Sequence, residues 1–284
     1  MTTPLTRRRL LATAAASAAA AAAAAATTLG HAAAAAPPAD LDAADRLERI
    51  VRVIGRADGG LAVRWTDGVL SANVGAEATP LFRVLSQIYS RHRRRTDAGY
   101  DAIVLELVYF TDLATRELLQ SWRNPLTGQT VPVPQTTLGP TPFVIRPSLA
   151  AERAAAFSAG AAFAQRYELE TSGDDAWVTE ALDSVIPAPA AGVPAFGFHE
   201  HFTFQASRAA LADRSRAHVP CVVQKSNVLS WRPWMLMGDR PGTTTTRAHG
   251  RVLDDFTQLP PAFLALNRAH GAAVLDGLDR QLAL

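Results

Sequence analysis

Apolar and polar residues alternate along several short stretches of the chain, which is typical of strands with one buried face. The clearest alternation runs through AFGFHEHFTF, residues 195–204. Another runs through residues 166–186, where Ser172-Gly173-Asp174 predicts the bend of a hairpin. Residues 102–110 are apolar on both faces except at Glu106. These patterns predict a protein built mainly from antiparallel strands.

Turn residues predict a meander in the second quarter of the chain. Residues 112–116 make a first turn, and Asn124-Pro125 followed by Gly128 makes a second. The three consecutive strands that these turns would join are Val104–Phe110, Glu117–Trp122 and Thr130–Val133.

Helical spacing of apolar residues, or richness in alanine, predicts a smaller number of helices. Asp40 is the expected N-cap of the first. Helix is predicted for residues 40–51, 79–95, 147–165, 206–217 and 260–283. Strands and helices do not alternate regularly, and no glycine-rich phosphate loop is present. We therefore expect an α+β fold that is mainly antiparallel β, either a curved sheet or a β-barrel with flanking helices.

The N-terminus has the pattern of an export signal. Arg7, Arg8 and Arg9 precede a long alanine-rich stretch, and small residues at Ala32–Ala36 offer a cleavage site. Residues 1–36 are predicted to be a twin-arginine signal peptide, and 37–284 a single β-rich domain with a C-terminal helix. The expected location is periplasmic or secreted, with the twin-arginine export machinery as a partner and no stable membrane anchor after cleavage.

The charge balance argues against a nucleic-acid partner. The chain has 28 basic and 26 acidic residues, a net charge of +2. Three of the basic residues lie in the predicted signal, so the mature chain would be close to neutral. The cluster RHRRR at 91–95 is interpreted as the solvated end of the helix predicted for 79–95.

Cys221 is the only cysteine, so no disulfide can form within the chain. Its apolar neighbours predict a small residue buried in a strand rather than a nucleophile.

Residues 195–204 carry the first set of candidate functional residues. In a strand, alternate residues share a face, so Glu200 would lie among Phe196, Phe198, Phe202 and Phe204, and His199 and His201 on the other face. If the aromatic face is the core, burial would raise the pKa of Glu200 and suit it to acid–base catalysis. If the histidine face lines a polar cavity, the two imidazoles could bind a metal.

A metal site would need further ligands, and only His249 and Glu106 are candidates. We therefore expect no metal at the histidine pair and no organic cofactor. The candidate catalytic residues are Glu200, His199 and His201.

The segment SWRPWMLMGDRPG, residues 230–242, is the second candidate region. Tryptophan, methionine and arginine can wall a pocket for a flat apolar ligand with a carboxylate. The alternative is a loop whose tryptophan and methionine side chains pack in the core, and WRNP at 122–125 allows the same two interpretations. The candidate ligand-binding residues are Trp122, Asn124, Trp231, Arg232, Trp234, Met235 and Met237.

Three motifs resemble those of a known family. They are Phe110-Thr111-Asp112, Trp122 to Gly128, and Ser230 to Gly242. On these motifs the chain is similar, over most of residues 50–275, to the bacterial and fungal proteins grouped as domain of unknown function 1838. Arg116 departs from the pattern, which favours glycine there. The resemblance implies a single domain with a shared pocket and supplies no catalytic residues.

Two classes of function are compatible with these residues. The first is an exported enzyme without a cofactor, an isomerase or lyase that acts on a small apolar or aromatic molecule by acid–base chemistry. The motifs G-x-S-x-G, S-x-x-K and H-E-x-x-H are absent, which disfavours a hydrolase. The second is a non-catalytic β-barrel that binds the same kind of small molecule.

Overall fold

The computed structural model describes residues 42–153, 162–187 and 195–284. The predicted signal peptide and the predicted N-cap Asp40 lie outside these ranges. Twelve strands are present in the described part: β1 (Ala62–Val74), β2 (Glu77–Arg94), β3 (Tyr100–Thr111), β4 (Ser121–Arg123), β5 (Thr130–Pro132), β6 (Thr136–Ile145), β7 (Ala150–Arg153), β8 (Ala162–Ser172), β9 (Asp175–Ile186), β10 (Phe196–Ser207), β11 (Cys221–Leu229) and β12 (Thr243–Leu253).

Ten of these strands form one strongly curved antiparallel sheet that closes into a barrel. Their order is β1-β12-β11-β10-β9-β8-β7-β6-β3-β2, and β1 also pairs with β2. The remaining two, β4 and β5, form a separate two-stranded sheet. The prediction of a mainly antiparallel, curved fold is confirmed.

One end of the barrel is filled by helix α1 (Ala43–Ile54), whose N-cap is Asp42. Leu47, Ile50 and Val51 are fully buried against inward residues such as Phe204. Helix α2 (Arg208–Ala212) lies beside α1, because the buried Arg52 donates hydrogen bonds to the carbonyl oxygens of Leu211 (2.5 Å) and Asp213 (2.7 Å). The opposite end is filled by the segment 231–237 and the excursion that carries β4 and β5.

Short C-terminal helices cover the outer face of β1–β3. They are α3 (Pro261–Leu266), a π-helical turn (Asn267–Gly271), α4 (Ala272–Leu275) and α5 (Leu278–Gln281). The prediction of a single helix over 260–283 is therefore wrong in detail, because this region consists of several short helical segments. Asn267 is buried and bonds to Gln87 and to the Tyr109 hydroxyl, which fixes the turn to the barrel wall.

The helix predicted for 79–95 is the 18-residue strand β2. Val84 and Ile88 face the barrel interior, whereas Leu85 and Tyr89 face the C-terminal helices. Burial on both faces removes the alternation that identifies a strand and leaves apolar spacings that match a helix. The arginines of RHRRR pair with carboxylates, as Arg93 does with Asp101 and Arg94 with Glu48.

Two other predicted elements differ. In the described parts of the alanine-rich stretch 147–165, strands β7 and β8 stand where the helix was predicted, and residues 154–161 lie outside the described part. The strand predicted at Glu117–Trp122 is reduced to a single bridge from Leu118 to Thr111 and to the short β4. The predicted strands at Val104–Phe110 and Thr130–Val133 correspond to β3 and β5. No helix among the described residues is long and apolar enough to cross a membrane.

Candidate ligand-binding cavity

A cavity of about 210 Å³ lies inside the barrel. One wall is aromatic, formed by Phe196, Phe198 and Phe202 of β10. Leu138 of β6 also lines the cavity and is 52% exposed, so the cavity reaches the surface near this residue. The rest of the lining combines aliphatic side chains with seven ionisable ones: Arg64, Glu106, Arg153, Glu180, Glu200, Lys225 and Arg232.

Lys225 is the centre of one charged group. Its Nζ lies 2.8 Å from Glu200 Oε2 and 3.9 Å from Glu106 Oε1, and 5.0 Å from the centre of the Phe202 ring. Ser86 donates a hydrogen bond of 2.6 Å to Glu106, and Asn227 donates one of 3.2 Å to Glu200. Strands β2, β3, β10 and β11 all contribute, and only closure of the sheet brings them around one amine.

Arg64 and Glu180 form a second group. Their side chains meet at 2.6 Å, and the Arg64 guanidinium lies 3.9 Å from the centre of the Phe202 ring. Gln165 donates to Glu180 at 2.7 Å and accepts a hydrogen bond of 3.2 Å from Arg153. Burial by itself lowers the pKa of Arg64, but the charge and hydrogen bond of Glu180, helped by Tyr167 and Glu200, together outweigh burial and raise the pKa.

Glu200 is held as an ionised carboxylate. Burial by itself raises its pKa, but the charge and hydrogen bonds of Lys225, helped by Asn227, outweigh burial and lower the pKa. The predicted rise of the Glu200 pKa is therefore wrong, because the sequence pattern did not include the lysine of the neighbouring strand.

Arg232 faces the cavity without a carboxylate partner. Among the described residues, none brings a carboxylate within 4.0 Å of its guanidinium, and its buried Nε has no hydrogen bond. Its guanidinium carbon lies 5.2 Å from the centre of the Phe110 ring. Burial lowers its pKa, against the opposing effect of Glu106 and Glu200.

The cavity therefore carries a surplus of positive charge. Four cationic side chains line it and three carboxylates oppose them. The internal segments 154–161 and 188–194 contain no Asp or Glu, so they cannot supply a fourth carboxylate.

The two histidines lie on the face of β10 opposite Glu200, as the alternation predicts, and this face is the outside of the barrel. His199 is 69% exposed, and its Nδ1 lies 2.7 Å from Asp183 Oδ1. His201 is exposed in a surface groove that also includes His249, whereas Glu106 lies inside the barrel. Over the ranges 42–153, 162–187 and 195–284, no three His, Cys, Asp or Glu side chains are grouped so that they could hold a metal ion.

The tryptophan–methionine segment plugs one end of the barrel. Met235 and Met237 are buried, and the amide of the fully buried Asn124 donates to the Met235 carbonyl oxygen at 2.9 Å. Trp122 and Trp234 pack on Phe82 with ring centres 5.4 and 5.8 Å away. Trp231 packs against the same cluster. Of the seven candidate ligand-binding residues, only Arg232 lines the cavity.

Several cavity residues were missed by the sequence interpretation, namely Arg64, Arg153, Glu180 and Lys225. For Lys225 a signal was available. Of the 28 basic residues in the chain it is the only lysine, and it lies inside the barrel with 8% of its side chain exposed. For Arg64, Arg153 and Glu180, the alternation of polar and apolar residues around them did not distinguish a cavity residue from a surface residue.

Comparison with known families agrees with the sequence motifs. The family model described as "Protein of unknown function (DUF1838)" matches residues 60–167 and 187–269. These ranges include Glu106, Glu200, Lys225 and Arg232, whereas Glu180 lies between them. No curated protein and no solved structure matches the chain. The matched ranges cover most of the barrel strands, and the chain belongs to the DUF1838 family of proteins of unknown function.

Proposed function

We propose that the barrel binds a small molecule with an apolar body and one anionic group inside the cavity. Phe196, Phe198 and Phe202 offer an aromatic wall for the apolar body. Such a site, mostly apolar with a few polar groups that fix orientation, is the usual form of a small-molecule pocket.

The observation that carries the proposal is Arg232. Arg232 is half-buried, with its Nε fully buried. A guanidinium removed from water in this way without a carboxylate partner is unfavourable, because its desolvation is not compensated. Arg232 lacks such a partner in the described part of the chain, and the cavity around it has one more cation than carboxylates. A ligand carboxylate would supply the missing negative charge and accept hydrogen bonds from the guanidinium N–H groups of Arg232.

An acid–base enzyme, either an isomerase or a lyase, is the second candidate. The observation that favours it is that Lys225 lies close to both Glu106 and Glu200, which brings a proton donor and two acceptors together at one point in the cavity. His199 and His201 would take no part, because they lie outside the barrel.

Calorimetric titration with phenylbutyrate and phenylbutanol, which share an apolar body, tests the binding proposal. We expect phenylbutyrate to bind more tightly. Arg232→Gln should weaken it roughly tenfold to a hundredfold, the range for a hydrogen bond to a charged group. Arg240→Gln, at an exposed arginine of the same loop, is the matched control. Equal binding of the two compounds, or equal effects of the two variants, would refute the proposal.

We also propose export by the twin-arginine route, supported by Arg7, Arg8 and the alanine-rich stretch after them. Changing both arginines to lysine should leave the protein in the cytoplasm. Mass spectrometry of exported material should find a start within or just after residues 32–36. Exported protein with an intact N-terminus would contradict this proposal.

A further inference from the structure

Lys225 stands apart from every other basic residue in the chain. All of the others are arginines, including the three that share its cavity. As a fixed charge between Glu106 and Glu200, arginine would serve as well or better, because its planar fork matches carboxylates. Arginine cannot do what an amine can, which is to lose a proton and attack a carbonyl carbon.

From this we infer that Lys225 forms an imine with an aldehyde group of a ligand in the barrel cavity. The inference rests on the proposed binding function, because the aldehyde must enter the same cavity and lie against the aromatic wall. Its geometric basis is an amine that lines the cavity, lies 2.8 Å from Glu200 and faces the Phe202 ring at 5.0 Å.

The surrounding carboxylates complete the chemistry. Without a ligand Lys225 and Glu200 are both charged. An apolar ligand that displaces water from the cavity disfavours both charges, and the Lys225 ammonium then gives one proton to Glu200. The neutral nitrogen attacks the aldehyde carbon to form a C–N bond. The oxygen gains a proton from the nitrogen and then a second from Glu200, and it leaves as water when the C–O bond breaks. The nitrogen lone pair forms the C=N bond. The products are one protonated imine, one water and the Glu200 carboxylate.

Glu200 would then stabilise the product. A protonated imine keeps the positive charge of the lysine, so its ion pair with Glu200 is retained. Asn227 donates to the same carboxylate at 3.2 Å and holds it in place. Glu106, which accepts a hydrogen bond from Ser86, provides a second carboxylate 3.9 Å from the nitrogen.

Reductive trapping tests the inference, and the single lysine makes the result unambiguous. The full chain is incubated at neutral pH with hydrocinnamaldehyde and sodium cyanoborohydride, and the modified amine is located by peptide mass spectrometry. The only other amine is the α-amino group, which serves as an internal reference. In solution an α-amino group has the lower pKa and is deprotonated more readily than a lysine. We expect Lys225 nevertheless to be labelled faster.

Two variants and one competitor complete the experiment. Glu200→Gln should slow labelling of Lys225 by about a hundredfold, the lower end of the range for a positioned proton carrier, and leave the α-amino group unchanged. Lys225→Arg should abolish labelling inside the barrel, with circular dichroism confirming that the variant is folded. Excess phenylbutyrate should protect Lys225 alone.

The outcomes separate this inference from the proposed function. If the α-amino group is labelled while Lys225 is not, the imine is refuted even where phenylbutyrate binds. If Lys225 is labelled first but phenylbutyrate neither binds nor protects it, the imine stands and the anionic ligand fails. Equal labelling of the wild type and Glu200→Gln would refute the role of the carboxylate.

Discussion

Replacing His92 by glutamine is expected to make the stability of the protein much less sensitive to mild acid. His92 lies on β2 beneath the end of α1 and is 2% exposed. The backbone of Gly55 packs so closely on its ring that a Cβ there would lie 2.5 Å from Cε1. Its Nδ1 has no hydrogen bond in the described part of the chain. Burial, and after it the positive charge of Arg64, lower the pKa of His92 to about 4.

The size of the stability loss in acid follows from the difference between the His92 pKa in the folded state and its pKa in the unfolded state. In the unfolded chain the pKa of His92 returns to about 6.5, so below this pH the unfolded state takes up a proton that the folded state refuses. Stability is therefore fully present above pH 6.5 and is lost as the pH falls towards 4. One pKa unit corresponds to about 1.4 kcal/mol, which gives a loss of roughly 2 kcal/mol between pH 7 and pH 5 and about 3 kcal/mol by pH 4.

Urea unfolding at pH 7 and pH 5 measures this difference directly. The wild type should lose roughly 2 kcal/mol between the two conditions, and His92→Gln should lose much less. His270→Gln, at an exposed histidine, is the control and should behave as the wild type does. Carboxylates with lowered pKa values lose their contribution to stability only below about pH 5, so they do not mask the loss caused by His92 between pH 7 and pH 5. Parallel losses in the wild type and His92→Gln would refute the reasoning.

Two further predictions concern the plug and the single thiol. Asn124→Ala should lower the free energy of unfolding by about 1–3 kcal/mol in urea titrations, because the Met235 carbonyl oxygen loses its buried hydrogen-bond donor. A loss near zero would show that the segment 231–237 does not depend on Asn124. Cys221 should stay unreactive towards a disulfide reagent at pH 8 in the native protein and react once in urea. Burial raises the pKa of its thiol to about 12. Rapid reaction of the native thiol would contradict the buried position.

Both functional proposals depend on two of the cations that line the cavity, the amine of Lys225 and the guanidinium of Arg232. Lys225 is satisfied by two carboxylates, whereas Arg232 has none within 4.0 Å among the described residues. This division assigns the two cations different tasks. Arg232 would fix an anionic group of the ligand, and Lys225 would react with its carbonyl carbon.

The sequence by itself determined the elements whose pattern is local. The hairpin of β8 and β9 was predicted with its bend, because three turn-forming residues separate two alternating stretches. The two faces of β10 were also predicted, with Glu200 on the aromatic side and His199 and His201 opposite. In each case one strand with one buried face carries the information in its own alternation.

Only the tertiary structure decided the rest. β2 was mistaken for a helix because the C-terminal helices, which contact it through residues such as Asn267, 180 positions after Gln87, bury its second face. The pKa of Glu200 moved against expectation because Lys225, on the next strand, lies 2.8 Å away. The tryptophan–methionine segment forms a plug rather than a pocket wall, since it packs on Phe82 and Phe110 at one end of the barrel. Each of these outcomes depends on which distant segments become neighbours when the sheet closes. The local pattern of a single strand does not determine those neighbours.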